Sequence, residues 1–129
     1  MKEEFERWFS FAVEDLSMAK LALREGIYNQ VCFHSQQCVE KVLKGFIALK
    51  GKIPPKTHKL ADLLYLLEET HFDNIKDRIL LLDRFYIVSR YPDAIIEDAY
   101  PKEKEAEEAL EVAEEAIKIA IKIKMGNQR

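Results

Sequence analysis

Apolar residues recur three and four positions apart through almost the whole chain, and this spacing leaves little choice of architecture. Phe5, Trp8 or Phe9, Ala12, Leu16, Ala19 and Leu23 form the first stripe, which predicts a helix from about Lys2 to Glu25. Gly26 stands just past its end, where a left-handed C-cap residue is expected. A second helix is predicted from about Asn29, a residue able to cap it, to Lys50, with Cys32, Gln36, Val39, Leu43, Phe46 and Ile47 turned inward. Gly51 stops it, and Pro54-Pro55 mark a rigid loop. Thr57 starts a shorter third helix carrying Leu60, Leu63, Leu64 and Leu67, which fades near Thr70. Asp73 is expected to cap a fourth helix reaching about Ser89, with Ile75, Ile79, Leu82 and Phe85 or Tyr86 inward. Pro92 disfavours the α region for Tyr91, so 91–100 reads as a loop or short turn. Pro101 suits the first position of a fifth helix running to about Lys124. That helix carries Glu103, Glu105, Glu107 and Glu108 early and Lys118, Lys122 and Lys124 late, in the order the helix dipole favours.

The expected fold is therefore all-α, an up-and-down bundle of about five helices, with residues 1–129 as one domain. Only 4 glycines and 4 prolines disfavour a turn-rich all-β chain, and 48% hydrophobic with 33% charged residues excludes a disordered one. A net charge of −3 excludes a polycationic nucleic-acid binder but leaves room for a local basic patch. No apolar run is long enough to span a membrane, and the charged start from Met1 to Arg7 does not read as a signal peptide. With two cysteines and no secretory signal, reduced thiols and a cytoplasmic location are expected.

Most sequence-readable chemistry is absent. His34 and Cys38 share a helix face, but Cys32 lies on another, and a zinc site needs about four converging ligands. Glu68 and His71 have the spacing of one half of a di-iron site without a second pair. No glycine-rich loop opens a helix and no serine sits in a Gly-x-Ser-x-Gly turn, so neither metal nor cofactor is expected. Two clusters remain. Phe33, Gln37, Glu40, Lys44 and Ile47 form a stripe beside the core stripe of the second helix, with Lys41 next to it. It reads either as a partner surface or as a solvated face with a Glu-Lys pair. Arg78, Arg84 and Arg90 recur every six residues, not on one face, with Tyr86 and Tyr91 among them. Arg84 and Tyr91 share a face if the helix persists and suit phosphate gripping and base stacking, and in the plainer reading Arg90 caps carbonyls and pairs with Asp93.

Several blocks resemble the HEPN family. They are Ala12, Asp15, Leu16 and Ala19 with Gly26-x-Tyr28; the run from Cys32 to Lys44; His58-Lys59-Leu60 with Leu63-Leu64; and Arg90-Tyr91-Pro92-Asp93. The resemblance implies a helical bundle that dimerises around a groove, binds nucleotide or RNA, and pairs with a separately encoded minimal nucleotidyltransferase as a toxin–antitoxin module. Active members are metal-independent endoribonucleases with an arginine, four to six residues, then a histidine, and in one subgroup a tyrosine two positions on. Laid onto this chain, the arginine is Arg84, the tyrosine is Tyr91, and Ser89 stands where the histidine would be. A serine hydroxyl does not titrate near neutrality, so efficient cleavage is not expected. The resemblance then implies a homodimeric binding module. Its nucleotide or RNA contacts are Arg84, Arg90, Tyr91, Asp93 and Lys44, and its interface includes Phe33, Gln37, Glu40 and Lys41. The alternatives are an endoribonuclease toxin using Arg84 and Tyr91, and a scaffold without a small ligand.

Overall fold

The computed structural model describes residues 2–68, 70–90 and 100–126, with backbone alone for 87–90. Six α-helices appear among them: α1 (Lys2–Arg24), α2 (Tyr28–Leu49), α3 (Leu60–Leu67), α4 (Lys76–Leu81), α5 (Asp83–Arg90) and α6 (Glu103–Gly126). One 3-10 turn, Asp73–Ile75, precedes α4, and the described residues contain no strand. The architecture is the expected all-α bundle.

α2 is the central element, packed against α1, α3, α5 and α6, while α6 also returns along α1. The predicted inward stripe of α2 is buried throughout, as are Phe5, Ala12, Leu16 and Ala19 of α1. The two helices approach closely at Gly45, where a Cβ would stand 3.2 Å from Trp8 Cβ and 3.4 Å from Phe5 Cδ2. Phe46 joins this contact to the next layer, with its ring edge-on to Phe5 at 5.7 Å and to Phe72 at 5.0 Å.

Gly26 takes the expected left-handed conformation at φ 71°, and Gly51 does the same at φ 82°. The paired bonds Ile27 N–H to Ala22 O at 2.9 Å and Gly26 N–H to Leu23 O at 3.1 Å close α1 in a Schellman arrangement.

Other boundaries differ from expectation. Asn29 does not cap α2; Ile27 occupies that position, without a side-chain bond, and Tyr28 opens the helix. Thr57 does not start α3. Its hydroxyl accepts from Lys59 N–H at 3.1 Å and donates to Asp62 at 3.1 Å, a local turn that delays the helix to Leu60. The free donors at the start of α3 are met by Asp83, whose carboxylate accepts from Leu60 N–H at 2.7 Å and Ala61 N–H at 3.2 Å. The single fourth helix is divided into the 3-10 turn, α4 and α5, with a break at Leu82 that places Asp83 at the head of α5. Asp73 is the first residue of the turn rather than its cap, a position held by Phe72. Pro101 precedes α6 by two residues. Lys102 N–H donates to Glu105 at 3.2 Å, half of a capping box.

Asp83 caps across the tertiary structure, so Asp83→Ala removes both acceptors at once. The expected loss is about 1–2 kcal/mol of stability. Urea unfolding measures it, and amide exchange at Leu60 and Ala61 accelerates in the variant.

Candidate functional site

α2 is surrounded by other helices, yet Gln36, Glu40 and Lys44 lie on its buried surface. Each finds a partner. Glu40, 3% exposed, accepts from Lys44 Nζ at 3.1 Å and from Gln37 Nε2 at 3.3 Å. Its Oε1 also lies 3.1 Å from His58 Nδ1. Gln36 Nε2 donates to the His58 carbonyl at 2.8 Å, and Gln37 Nε2 reaches Gln36 Oε1 at 2.7 Å. The Lys44 ammonium sits 5.7 Å from the centre of the Trp8 ring. These bonds fix the loop before α3 against α2. The His58 ring then stacks on Tyr86 of α5, with centroids 4.7 Å apart and planes 16° apart, and Tyr86 lies 6.2 Å from Phe33.

A second carboxylate, Asp15 of α1, is bound by His34 Nδ1 at 2.9 Å and by Lys41 Nζ. Burial alone would raise its pKa. The hydrogen bonds and charges of His34 and Lys41 outweigh burial and hold it below the ordinary carboxylate range. The cysteines are buried and unpaired. Burial pushes the Cys32 thiol up to about 12, with the charge of Arg84 opposing and that of Glu105 adding. Cys38 is raised mainly by burial. Neither thiol is a nucleophile near neutral pH.

Arg84 is exposed on a different face of α5. Its guanidinium carbon lies 4.7 Å from the centre of the Phe85 ring, beside a cavity of about 110 Å³ whose rim includes Arg78, Glu105 and Glu108. Residues two apart on a helix point about 200° away from each other, so Arg84 and Tyr86 face opposite ways.

The other expected site residues are distributed as follows. Lys44, expected among the ligand-contacting cations, is buried and bound to Glu40. Of the expected interface residues, Glu40 is engaged inside the chain and Lys41 is paired with Asp15. Phe33 and Gln37 are half-buried. Ser89 and Arg90 have their backbone in α5 and their side chains outside the described set, and Tyr91 and Asp93 lie outside the described residues. His58 and Tyr86 meet across 28 positions, which no periodicity reports. Among the described residues, no three His, Cys, Asp or Glu side chains gather as a metal set, and no helix is long and apolar enough to cross a membrane.

Comparison with known proteins agrees with this architecture. The model of the HEPN domain matches residues 5–124. A protein of Methanocaldococcus jannaschii named "Putative toxin MJ1304" is 33% identical over 133 residues, spanning 89% of this chain and 86% of its own. The crystal structure of TT1696 from Thermus thermophilus superposes with a TM-score of 0.82 at 31% identity, covering 95% of this chain and 98% of that one. That of ST0689, described as an archaeal HEPN homologue, gives 0.76 at 32% identity, covering 93% and 97%. The chain belongs to the HEPN family.

Two outcomes follow from the buried groups. Because the folded pKa of Asp15 is depressed, its ionised form stabilises the fold above the unfolded carboxylate value of about 3.9, and that contribution is lost as pH falls through the lower folded value. Asp15→Asn is expected to unfold at lower urea than wild type at pH 7, and the gap narrows on acidification below about pH 4. Both cysteines are expected to resist alkylation in the folded protein at pH 8 and to react fully in denaturant, as mass spectrometry would record.

Proposed function

We propose that this chain is a homodimeric nucleotide- or RNA-binding and interaction module, the partner of a separately encoded minimal nucleotidyltransferase in a toxin–antitoxin pair. Family membership supports this reading, and so does the name of the M. jannaschii relative. The observation that carries the binding assignment is the exposed Arg84 guanidinium at the rim of the cavity between α5 and α6. A planar guanidinium offers paired donors that match phosphate oxygens. Arg90, Tyr91 and Asp93, which follow it closely in sequence, complete the proposed contact. Lys44, also expected as a contact, is buried on Glu40 and takes no part in this proposed contact. Ser89, separated from the motif arginine by four residues, supplies no titrating group, so the module is expected to bind rather than cleave efficiently.

Arg84→Ala is expected to weaken binding of a short labelled RNA about tenfold, the loss of one charge-assisted contact. Unchanged affinity overturns the assignment. Light scattering is expected to find a dimer at micromolar concentration, and a monomer there contradicts the shared groove.

A second reading is a metal-independent endoribonuclease toxin using Arg84 and Tyr91; the word toxin in the same relative's name agrees with it. Expression in a bacterial host separates the two. Growth arrest together with cleavage of total RNA in chelator supports the enzyme, and the absence of both leaves the binding module.

A further inference from the structure

The ring cluster on the other side of α5 has a chemistry that Arg84 does not use. The Glu40 carboxylate is buried and already compensated by Lys44. An ionised carboxylate only accepts hydrogen bonds, so the His58 Nδ1 facing it at 3.1 Å carries the hydrogen. That contact selects the tautomer with hydrogen on Nδ1, in which Nε2 is the acceptor. One face of that ring is covered by Tyr86, and Tyr86 in turn lies against Phe33, so three rings stand in series. Among the described residues His58 ends the series, and its side chain is 49% exposed.

A planar stack ending in an exposed ring suits another planar ring, and an oriented acceptor suits a hydroxyl placed close to that ring. A ribonucleotide has both, a base and a ribose 2′-hydroxyl, whereas a deoxyribonucleotide lacks the hydroxyl. We infer that His58, oriented by Glu40 and stacked on Tyr86, is an RNA-contacting residue: a base packs on the ring series and its 2′-hydroxyl donates to Nε2. This inference rests on the RNA reading given above. It adds a base-and-sugar contact on the face of α5 opposite Arg84, and it gives the chain a means of telling RNA from DNA.

The test uses a short labelled oligoadenylate and its deoxy counterpart, followed by fluorescence anisotropy with the full-length protein. Circular dichroism confirms that each variant is folded, which is expected because Lys44 and Gln37 remain on Glu40. Wild type binds the RNA more tightly than the DNA. His58→Phe keeps a ring to stack on but has no acceptor, so its RNA affinity falls to the DNA level while its DNA affinity holds. His58→Ala loses the ring as well and binds both oligomers about tenfold more weakly than His58→Phe binds DNA. Wild type binding the two oligomers equally, or His58→Phe keeping the wild-type preference, overturns the 2′-hydroxyl contact. His58→Ala binding both as wild type does overturns the stacking site, while the RNA reading stands. Wild type binding neither oligomer overturns the RNA reading and this inference with it.

Discussion

A carboxylate withdrawn from water must be compensated where it stands, and Glu40 sits on the most enclosed helix of the bundle. The uncompensated cost would be several kcal/mol, comparable with the whole net stability of a small domain. Compensation recruits Lys44 one turn along α2, Gln37 one turn before, and His58 from the loop ahead of α3. Gln36 adds a bond to the His58 carbonyl, so the loop is held at both its backbone and its ring. A hydrophobic pair in place of Glu40 and Lys44 would cost the fold little and could stabilise it. What the polar set supplies is position: it sets where His58 stands and which ring nitrogen faces outward. A chain that needed only a core would have little use for it.

The same logic reaches α3 by another route. An eight-residue helix is too short to persist alone, and its first amides need acceptors. Asp83 provides them because the break at Leu82 brings the head of α5 to the head of α3. The loop carrying His58 is thus pinned from two sides, by α2 through Glu40 and Gln36 and by α5 through Tyr86 and Asp83. The position of His58 depends on both.

What could be read from the chain alone follows from the range of each interaction. The long helices were legible because their inward stripes are local and regular, as Cys32, Val39, Leu43 and Phe46 show on α2. Gly26 and Gly51 were legible because a left-handed terminus favours glycine whatever surrounds it. The start of α3 was not, because its cap lies 23 residues away in sequence. Nor was the break at Leu82, since Ile75, Ile79, Leu82 and Phe85 keep an unbroken apolar rhythm through it. Glu40 and Lys44 read as a surface pair at helical spacing. Spacing reports neighbours on one helix and says nothing of what covers them. Arg84 stood out by residue type, whereas His58 gained its significance only through partners on two other elements.

The two faces of α5 constrain how any ligand can use both. Arg84 and Tyr86 are separated by about 200° around the helix, so one compact group cannot touch the guanidinium and the ring stack together. A mononucleotide would have to choose between them. A strand could pass over the end of α5 and engage each face with a different nucleotide, phosphate on one side and base with ribose on the other. A second copy offers another geometry, in which the arginine face of one protomer and the ring face of its partner border one groove. Under the proposed RNA reading, affinity in both geometries would be divided between a salt-sensitive contact and a salt-tolerant one, because guanidinium–phosphate pairing is screened by ions and ring stacking is not. On that same proposed reading, a surface built this way would favour a chain of several nucleotides over any single one.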